Sequence, residues 1–465
     1  MLLIYNTLSQ EKEIFKPIHP GKIDFYVCGI TVYDYCHIGH ARVYLVFDTI
    51  IRYLRYRGFE VNYIRNITDI DDKIIKRADE NQEPMEILTE RFINAMHEDF
   101  AALNIEPATL EPRATEYVPQ MITLIKTLMD KGYAYVGANG DVYYKVEKFE
   151  SYGCLSHRKM DDLQAGARIG INESKQHPFD FVLWKSAKVG EPSWASPWGP
   201  GRPGWHIECS AMSLKNLGET FDIHGGGPDL KFPHHENERA QSEAATGKTF
   251  VNYWMHVGYV QIEKEKMAKS LGNFVTIREF LQHYHPEVLR YFSISSHYRS
   301  PVDYTGDHID FAFRALERLY TALRGITIPH SVSIPSHSEY EKRFCDAMND
   351  DFNTPVAIAV LFDLAREINR LRDADSEEVY PLALLLKKLG NLLGILNATP
   401  EEFLQNLNGS EIDRNEIDRL ISERLIAKTA KDWKKADEIR ETLLQKNIIL
   451  EDSPDGKTKW SVKAR

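Results

Sequence analysis

The sequence has little cysteine: five residues in 465, odd in number and widely spaced (Cys28, Cys36, Cys154, Cys209 and Cys345). That argues against a disulfide framework and leaves reduced thiols as core residues, metal ligands or nucleophiles. No apolar run reaches the ~18 residues that a membrane helix needs, so no membrane association is expected. The start, Met1-Leu-Leu-Ile-Tyr-Asn6, lacks the basic residues, long apolar centre and small-residue cleavage site of a secretion signal, so the cytoplasm is the expected location. Positive charge is not in excess either. The net charge of −11 argues against a protein that coats polyanions, while leaving room for a local basic surface. Several catalytic signatures are missing. Gly247-Lys-Thr249 ends like a P-loop, but Ser242 stands where the first glycine belongs. No Gly-x-Ser-x-Gly accompanies His224-Gly-Gly-Gly227, so a serine hydrolase has no nucleophile. His235-Glu236 lacks the second histidine of a zinc protease, and Asp69, Asp71 and Asp72 lack the glycine and glutamate of a calcium loop.

What is present is a globular balance, 43% hydrophobic and 27% charged, on a chain long enough for several domains. A β-rich run over 23–28 ends at Gly29. Over 38–57, Val43, Val46, Phe47, Ile50 and Leu54 recur at helical steps, Gly58 suits the helix end, and 59–67 reads as a second strand. This order implies a parallel βαβ unit with a right-handed crossover. Residues 83–135 read as mostly helical. Over 136–203 the texture changes to turns, short strands and a stretch rich in Pro, Gly and Trp, which reads as an insertion in the α/β domain. Strand patterns return near 220–223 and over 253–262. Beyond 275 the segments 311–324, 355–372 and 382–396 are amphipathic, the pattern of a helix bundle. The stretch 399–415 reads as loop. A final small unit begins near 416, with a charged helix over 432–446, the strand Ile448-Ile-Leu450, a Ser-Pro-Asp-Gly turn (453–456) and a last strand through Trp460.

His37 and His40 stand three apart at the start of the first crossover helix, with Gly39 between them. Free N–H groups and the positive end of the helix dipole suit phosphate there, although a histidine pair also suits a surface cap. Far downstream, Lys266-Met-Ala-Lys-Ser270 carries two lysines that could meet charge on a polyphosphate; a solvated charge run is the plain alternative. Cys28, Cys209, His234 and Glu238 offer two thiolates, an imidazole and a carboxylate, a set that suits zinc. Their spacing alone equally suits buried structural cysteines. Cys36 lacks a base by spacing and is expected to be a bystander.

His37-Ile-Gly-His40 together with Lys266-Met-Ala-Lys-Ser270 resembles the paired signatures of class I aminoacyl-tRNA synthetases; Ala268 stands where the commonest form has serine. The chain resembles the cysteinyl-tRNA synthetase family throughout. The motifs that carry the likeness are Tyr26-Val-Cys-Gly-Ile-Thr-Val-Tyr-Asp34, Asn66-Ile-Thr-Asp-Ile-Asp-Asp-Lys73, Gly204-Trp-His-Ile-Glu-Cys-Ser210 and Phe221-Asp-Ile-His-Gly-Gly-Gly227. Phe232-Pro-His-His-Glu-Asn-Glu238 and Asp350-Asp-Phe-Asn-Thr-Pro355 extend it. The resemblance implies one Zn2+ per chain on Cys28, Cys209, His234 and Glu238, selecting a cysteine thiol over the serine hydroxyl. It implies an amino-acid pocket lined by Gly29, Thr68, Trp205, His224 and Asp229. ATP, carried with Mg2+, would meet His37, Gly39, His40, Lys266, Lys269 and Ser270, with His37, His40, Lys266 and Lys269 catalytic.

The implied fold class is an α/β Rossmann-like catalytic domain with an insertion, followed by an α-helical bundle and a small C-terminal mixed α/β unit. Its parts are expected at 1–115 and 204–274 (the catalytic halves), 116–203 (connective insertion), 275–315 (stem contact), 316–398 (anticodon-binding bundle) and 399–465 (anticodon recognition). The expected partners are L-cysteine, ATP and tRNA(Cys), with a monomer as the expected state. Lys and Arg outnumber Asp and Glu from Arg424 to Arg465, and Trp433 and Trp460 add aromatic surface, a composition that suits RNA or an ordinary charged helix over a small core. The rival activity is a cysteine ligase of the same superfamily acting on an amino sugar, as in mycothiol assembly. A non-enzymatic zinc-dependent RNA-binding module is the rival of a different class.

Overall fold

The computed structural model describes residues 1–158, 174–262, 265–267, 272–334, 338–406, 412–452 and 458–463. The chain divides into two compact units, Met1–Tyr35 with Leu54–Glu98 and Glu106–Tyr259, and Cys36–Tyr53 with Asp99–Ile105 and Val260–Arg465.

Strands β1 (Leu3–Asn6) and β2 (Glu11–Ile14) pair antiparallel at the start. β3 (Lys22–Thr31) follows, then helix α1 (Ile38–Tyr56) and β4 (Glu60–Thr68), the expected βαβ order. β3 and β4 are parallel, and β3 buries Phe25, Tyr26, Val27 and Cys28 in succession, as a strand covered on both faces does. Gly58 closes α1 at φ +89°, a conformation glycine takes without strain. Helices α2 (Asp72–Asn81), α3 (Met85–Ala102) and α4 (Val118–Asp130) come next.

The region expected to be an insertion forms an antiparallel sheet in the order β5 (Ala134–Val136), β6 (Val142–Tyr144), β7 (Phe181–Ser186), β8 (Gly201–Pro203). The 137–141 turn closes its first hairpin through Gly137 N–H to Asp141 O at 2.8 Å. Helix α5 (Trp205–Leu217), β9 (Phe221–Gly226), α6 (Glu236–Thr246) and β10 (Val251–His256) complete the first unit. Its central sheet runs β10-β9-β3-β4, all parallel. Trp184, Trp254, Tyr144 and Phe221 lie in its core.

The strand pattern over 253–262 is two strands, not one. β10 stops at His256, and β11 (Val260–Ile262) joins a separate sheet with β12 (Glu265–Lys266) and β13 (Val302–Asp303). Gly258 stands in the gap between them, and a glycine inside a strand pattern is the signal that marks the break.

In the second unit α7 (Ile277–Leu281), α8 (Pro286–Ile294) and α9 (Gly306–Leu323) precede the bundle of α10 (Glu339–Asn349), α11 (Thr354–Asp373) and α12 (Val379–Leu392). The amphipathic pattern runs on to 396, yet α12 ends at Leu392. Gly394 takes φ +74° and Leu396 φ +60°, and the buried Glu287 carboxylate on α8 accepts from Leu396 N at 2.8 Å and Asn397 N at 2.9 Å. Tyr320 donates to the same carboxylate at 2.7 Å. Glu287→Gln replaces one acceptor oxygen by a donor facing these groups, and is expected to cost about 1–3 kcal/mol in urea unfolding.

The stretch 399–415 is not simply loop. Thr399 and Glu402 form a capping box that starts α13 (Pro400–Leu404), and Asp413 caps α14 (Arg414–Thr429). Thr-Pro-Glu-Glu is the legible signal for the first. α15 (Trp433–Gln445) and the antiparallel pair β14 (Ile448–Asp452) and β15 (Thr458–Val462) end the chain; the Ser453-Pro-Asp-Gly456 turn lies outside the described residues. Ile417, Leu443, Ile448 and Trp460 share a small core.

Beside that core Arg424 grips Asp452 through two hydrogen bonds, 2.8 and 2.9 Å. The bonds from Arg424 hold the Asp452 carboxyl below the usual carboxylate range, with Thr458 and Lys428 adding to the effect. A depressed carboxylate stabilises the fold above its unfolded pKa of about 4, and that contribution is lost as pH falls further through the folded value. The Tm gap between wild type and Asp452→Asn is therefore expected to be full near neutrality and to shrink below pH of about 4.

Candidate functional site

The first unit carries a buried donor cluster. Between Val27 and Ile30 the β3–β4 register shifts, and this irregularity falls at Cys28-Gly29. Such a bulge re-aims a side chain. Here the backbones come so close that a Cβ on Gly29 would lie 1.5 Å from the Asn66 carbonyl oxygen. Asn66 Oδ1 accepts from Gly29 N at 2.8 Å. Cys209 comes from α5, and Glu238 from the first turn of α6. His234 sits in the preceding turn, four residues back, with Nε2 2.9 Å from Glu238 Oε1. Cys28 Sγ lies 3.8 Å from Cys209 Sγ and 3.4 Å from Glu238 Oε1. The four donors fall within 4.8 Å of one another, all buried.

Two of the donors, His234 and Glu238, are oriented from behind. His206 Nδ1 and His234 Nδ1 are 2.9 Å apart, which turns the other ring nitrogen of His234 toward the cluster. His224 Nε2 lies 2.9 Å from Glu238 Oε2. Trp205 stacks on the His234 ring at 4.2 Å. Burial pushes the Cys28 thiol up, with Cys209 and Glu238 adding to it. Burial acts the same way on Cys209, but the Cys28 hydrogen bond and His234 bring that thiol down to about 6. Against its own burial, Glu238 is held well below the carboxylate range by His224 and His234. Two thiols, an imidazole and a carboxylate converging in a dry site fit a divalent cation, whose charge would compensate the anionic donors. A second overlapping set, Cys28, His224, His235 and Glu238, has similar spacing. In it His235 Nδ1 already faces His256 Nε2 at 2.9 Å, and there is one thiol rather than two, so the first set is the better metal site.

The other expected pocket residues are placed as follows. Thr68 is buried at the end of β4, where Asn66 Nδ2 donates to its hydroxyl at 3.3 Å. Trp205 is 38% exposed at the head of α5, whereas His224 is fully buried on β9. Asp229 is exposed in the turn after β9, and its charge reaches the Tyr259 hydroxyl, which burial and then Asp229 push up. Sequence reasoning did not single out His206, Asn66 or Tyr26. Tyr26 is fully buried, and burial followed by Cys209 and Cys28 pushes its hydroxyl well up. His206 lies in the Gly204–Ser210 motif, three residues before Cys209, which was the available signal.

The second unit carries the histidine pair. His37 directly precedes α1, and its ring stacks on His40 with centroids 3.7 Å apart and planes at 18°. His40 N–H points to His37 Nδ1 at 3.4 Å, and His37 N–H to His40 Nδ1 at 3.4 Å. A Cβ on Gly39 would lie 2.8 Å from the His37 ring, so the stack needs glycine there. Ile38 N–H donates to Val275 O and Ile277 N–H to Cys36 O, both at 3.0 Å, fastening the helix start to 275–277. Lys266 is exposed on β12, and Asn273 donates to its carbonyl at 3.2 Å. Lys269, Ser270 and Ala268 lie outside the described residues. Cys36 is buried.

A family model described as "tRNA synthetases class I (C) catalytic domain" matches residues 14–314, and a DALR domain matches 343–397. A cysteine–tRNA ligase of Thioalkalivibrio sulfidiphilus is 59% identical over 98% of this chain and 99% of its own. One from Azotobacter vinelandii is 58% identical over 98% of each. Among solved structures, a Mycobacterium tuberculosis methionyl-tRNA synthetase bound by methionyl-adenylate shares the fold at TM-score 0.60 and 14% identity, covering 82% of this chain and 95% of that one. The α/β sheet with its insertion, the helix bundle and the full-length identity lead to one conclusion: this chain belongs to the cysteine–tRNA ligases, within the class I aminoacyl-tRNA synthetases.

Proposed function

We propose that the chain attaches L-cysteine to tRNA(Cys) in two steps. The cysteine carboxylate attacks the α-phosphorus of ATP, and the bond to pyrophosphate breaks, leaving cysteinyl-adenylate. His37 and His40, at the N-terminus of α1, stabilise the phosphates, with Gly39 leaving room. Lys266 and Lys269 meet the charge that grows on pyrophosphate, Ser270 adds a hydroxyl, and Mg2+ accompanies ATP. A ribose hydroxyl at the tRNA end then attacks the adenylate carbonyl, and AMP leaves. Positioning carries most of that step.

The observation that carries the substrate choice is the buried Cys28, Cys209, His234 and Glu238 cluster. A zinc ion held there would ligate the substrate thiol as thiolate, which a serine hydroxyl matches poorly. Size alone separates such near-isosteres weakly. Thr68, Trp205, Gly29 and Asp229 complete the pocket, Asp229 as partner of the ammonium and Trp205 as its wall. His224 acts through Glu238. The catalytic halves are 1–115 and 204–274, the stem contact is 275–315 and the bundle begins at 316, a division with which the matched spans 14–314 and 343–397 are compatible. The bundle and the last unit take the anticodon arm. No helix among the described residues is long and apolar enough to cross a membrane. A cytoplasmic location and a monomeric state belong to the same proposal.

Cysteine-dependent exchange of pyrophosphate into ATP, followed by charging of tRNA(Cys), tests this reading. Both are expected, with serine inactive in the exchange. Exchange without charging would favour the amino-sugar ligase, and no exchange with any amino acid would sink the proposal.

A further inference from the structure

The second unit contains a buried arginine that the two-step reading does not use. Arg42 lies two residues after His40, in the first turns of α1, and is fully buried. Its guanidinium donates to Ser293 O and Ser300 O, both at 2.6 Å. Ser296 Oγ, His297 O and Tyr298 O stand further off at 3.5 Å. One side chain thus gathers the end of α8 and the turn behind it.

The same turn is gripped from the bundle. Tyr298 donates its hydroxyl to Asp351 Oδ1 at 2.8 Å, and Arg299 Nε donates to Asp351 Oδ2 at 2.9 Å. Thr354, at the head of α11, donates to Ile294 O at 2.7 Å. Beside these contacts Asp351 and Phe352 take φ of +58° and +52°, a left-handed conformation that costs non-glycine residues free energy. Further along α1, Asp48 accepts from Arg290 at 2.6 Å, so α8 meets this helix at two levels.

We infer that Arg42 and Asp351 are positioning residues: the 293–300 segment is a shared seat, held by Asp351 from the bundle side, and Arg42 uses it to fix the first turn of α1 and with it the His37–His40 pair. The inference rests on the proposed role of that pair in the activation step. Arginine suits the seat because its planar fork reaches carbonyls on several sides, whereas lysine carries one point of charge. A small shift of the helix start moves both rings, and misplacement by about 1 Å can cost ~10²-fold in rate.

The test uses the full-length, metal-loaded protein. Arg42→Lys is expected to lower kcat for cysteine-dependent pyrophosphate exchange at least about tenfold, leaving KM for cysteine and metal content unchanged. Arg42→Gly is expected to regain exchange on addition of millimolar guanidinium, at levels that leave wild type unaffected. A loss of stability alone would not give that rescue. Asp351→Asn is expected to lower kcat in the same direction and less. An Arg42→Lys protein within twofold of wild-type kcat overturns the inference, as does a folded Arg42→Gly protein that guanidinium does not rescue. If Arg42→Gly does not fold, the Arg42→Lys result decides. If wild type itself shows no exchange, the proposed function fails. The positioning role is then judged by amide hydrogen exchange at His40–Tyr44, which must speed up in Arg42→Lys relative to wild type for the inference to stand.

Discussion

Replacing Cys209 with serine is expected to strip the buried cluster of its metal and to abolish cysteine activation while leaving the fold in place. The substitution changes one atom of a side chain that is almost fully buried on α5, so packing is conserved. The chemistry is not conserved. A hydroxyl does not ionise in this range and is a poor ligand beside a thiolate. Loss of an outer partner of a metal site typically costs ~10–100-fold in affinity or activity, and loss of a direct ligand exceeds that. Metal content measured after dialysis against a weak chelator should fall well below one per chain, and cysteine-dependent exchange should drop on the order of 10³-fold. A Cys209→Ser protein with full zinc and full cysteine affinity would falsify the assigned ligand set. His224→Gln offers the graded comparison: it disturbs the group against Glu238 Oε2 rather than a ligand, so a loss within ~10–100-fold is expected.

Gly29→Ala is expected to be nearly as damaging for a different reason. The added methyl carbon would stand 1.5 Å from the Asn66 carbonyl oxygen, so the two parallel strands must separate locally. Overpacking of a well-packed interior ordinarily costs about 1–3 kcal/mol, and here the neighbour is backbone rather than a side chain that could turn away, so the upper end or beyond is expected. The strands part next to Cys28, so metal affinity should fall together with stability. A Gly29→Ala protein with wild-type Tm and metal content would show that the bulge yields freely. Coupled loss of both would show that the bulge holds Cys28 in place.

How much is legible in the sequence differs from element to element. The first βαβ unit is readable because α1 shows a strong 3.6-residue repeat and Gly58 marks its end, both local properties. The end of α12 is not readable. Its apolar pattern continues to 396, and what halts the helix near Leu392 is a turn whose amide groups bond to Glu287, more than a hundred residues away in sequence. The α13 cap is legible in Thr399-Pro-Glu-Glu402, but the polarity of the surrounding stretch hides it unless capping chemistry is weighed first. In the site, helical spacing alone places His234 and Glu238 together. Joining them to Cys28 and Cys209 requires resemblance, since no local rule links segments separated by 181 residues.

By itself, then, the sequence determined the periodicities, the signature motifs and the types of donor available, because these depend on near neighbours along the chain. Tertiary structure alone decided which donors converge, and that the fully buried His224 stands against Glu238 Oε2. It also decided that a buried Arg42 ties the helix of the histidine pair to a turn roughly 250 residues on. The physical reason is the same throughout: a buried polar group must find its partner in space, and the chain that supplies it carries no local mark of having done so.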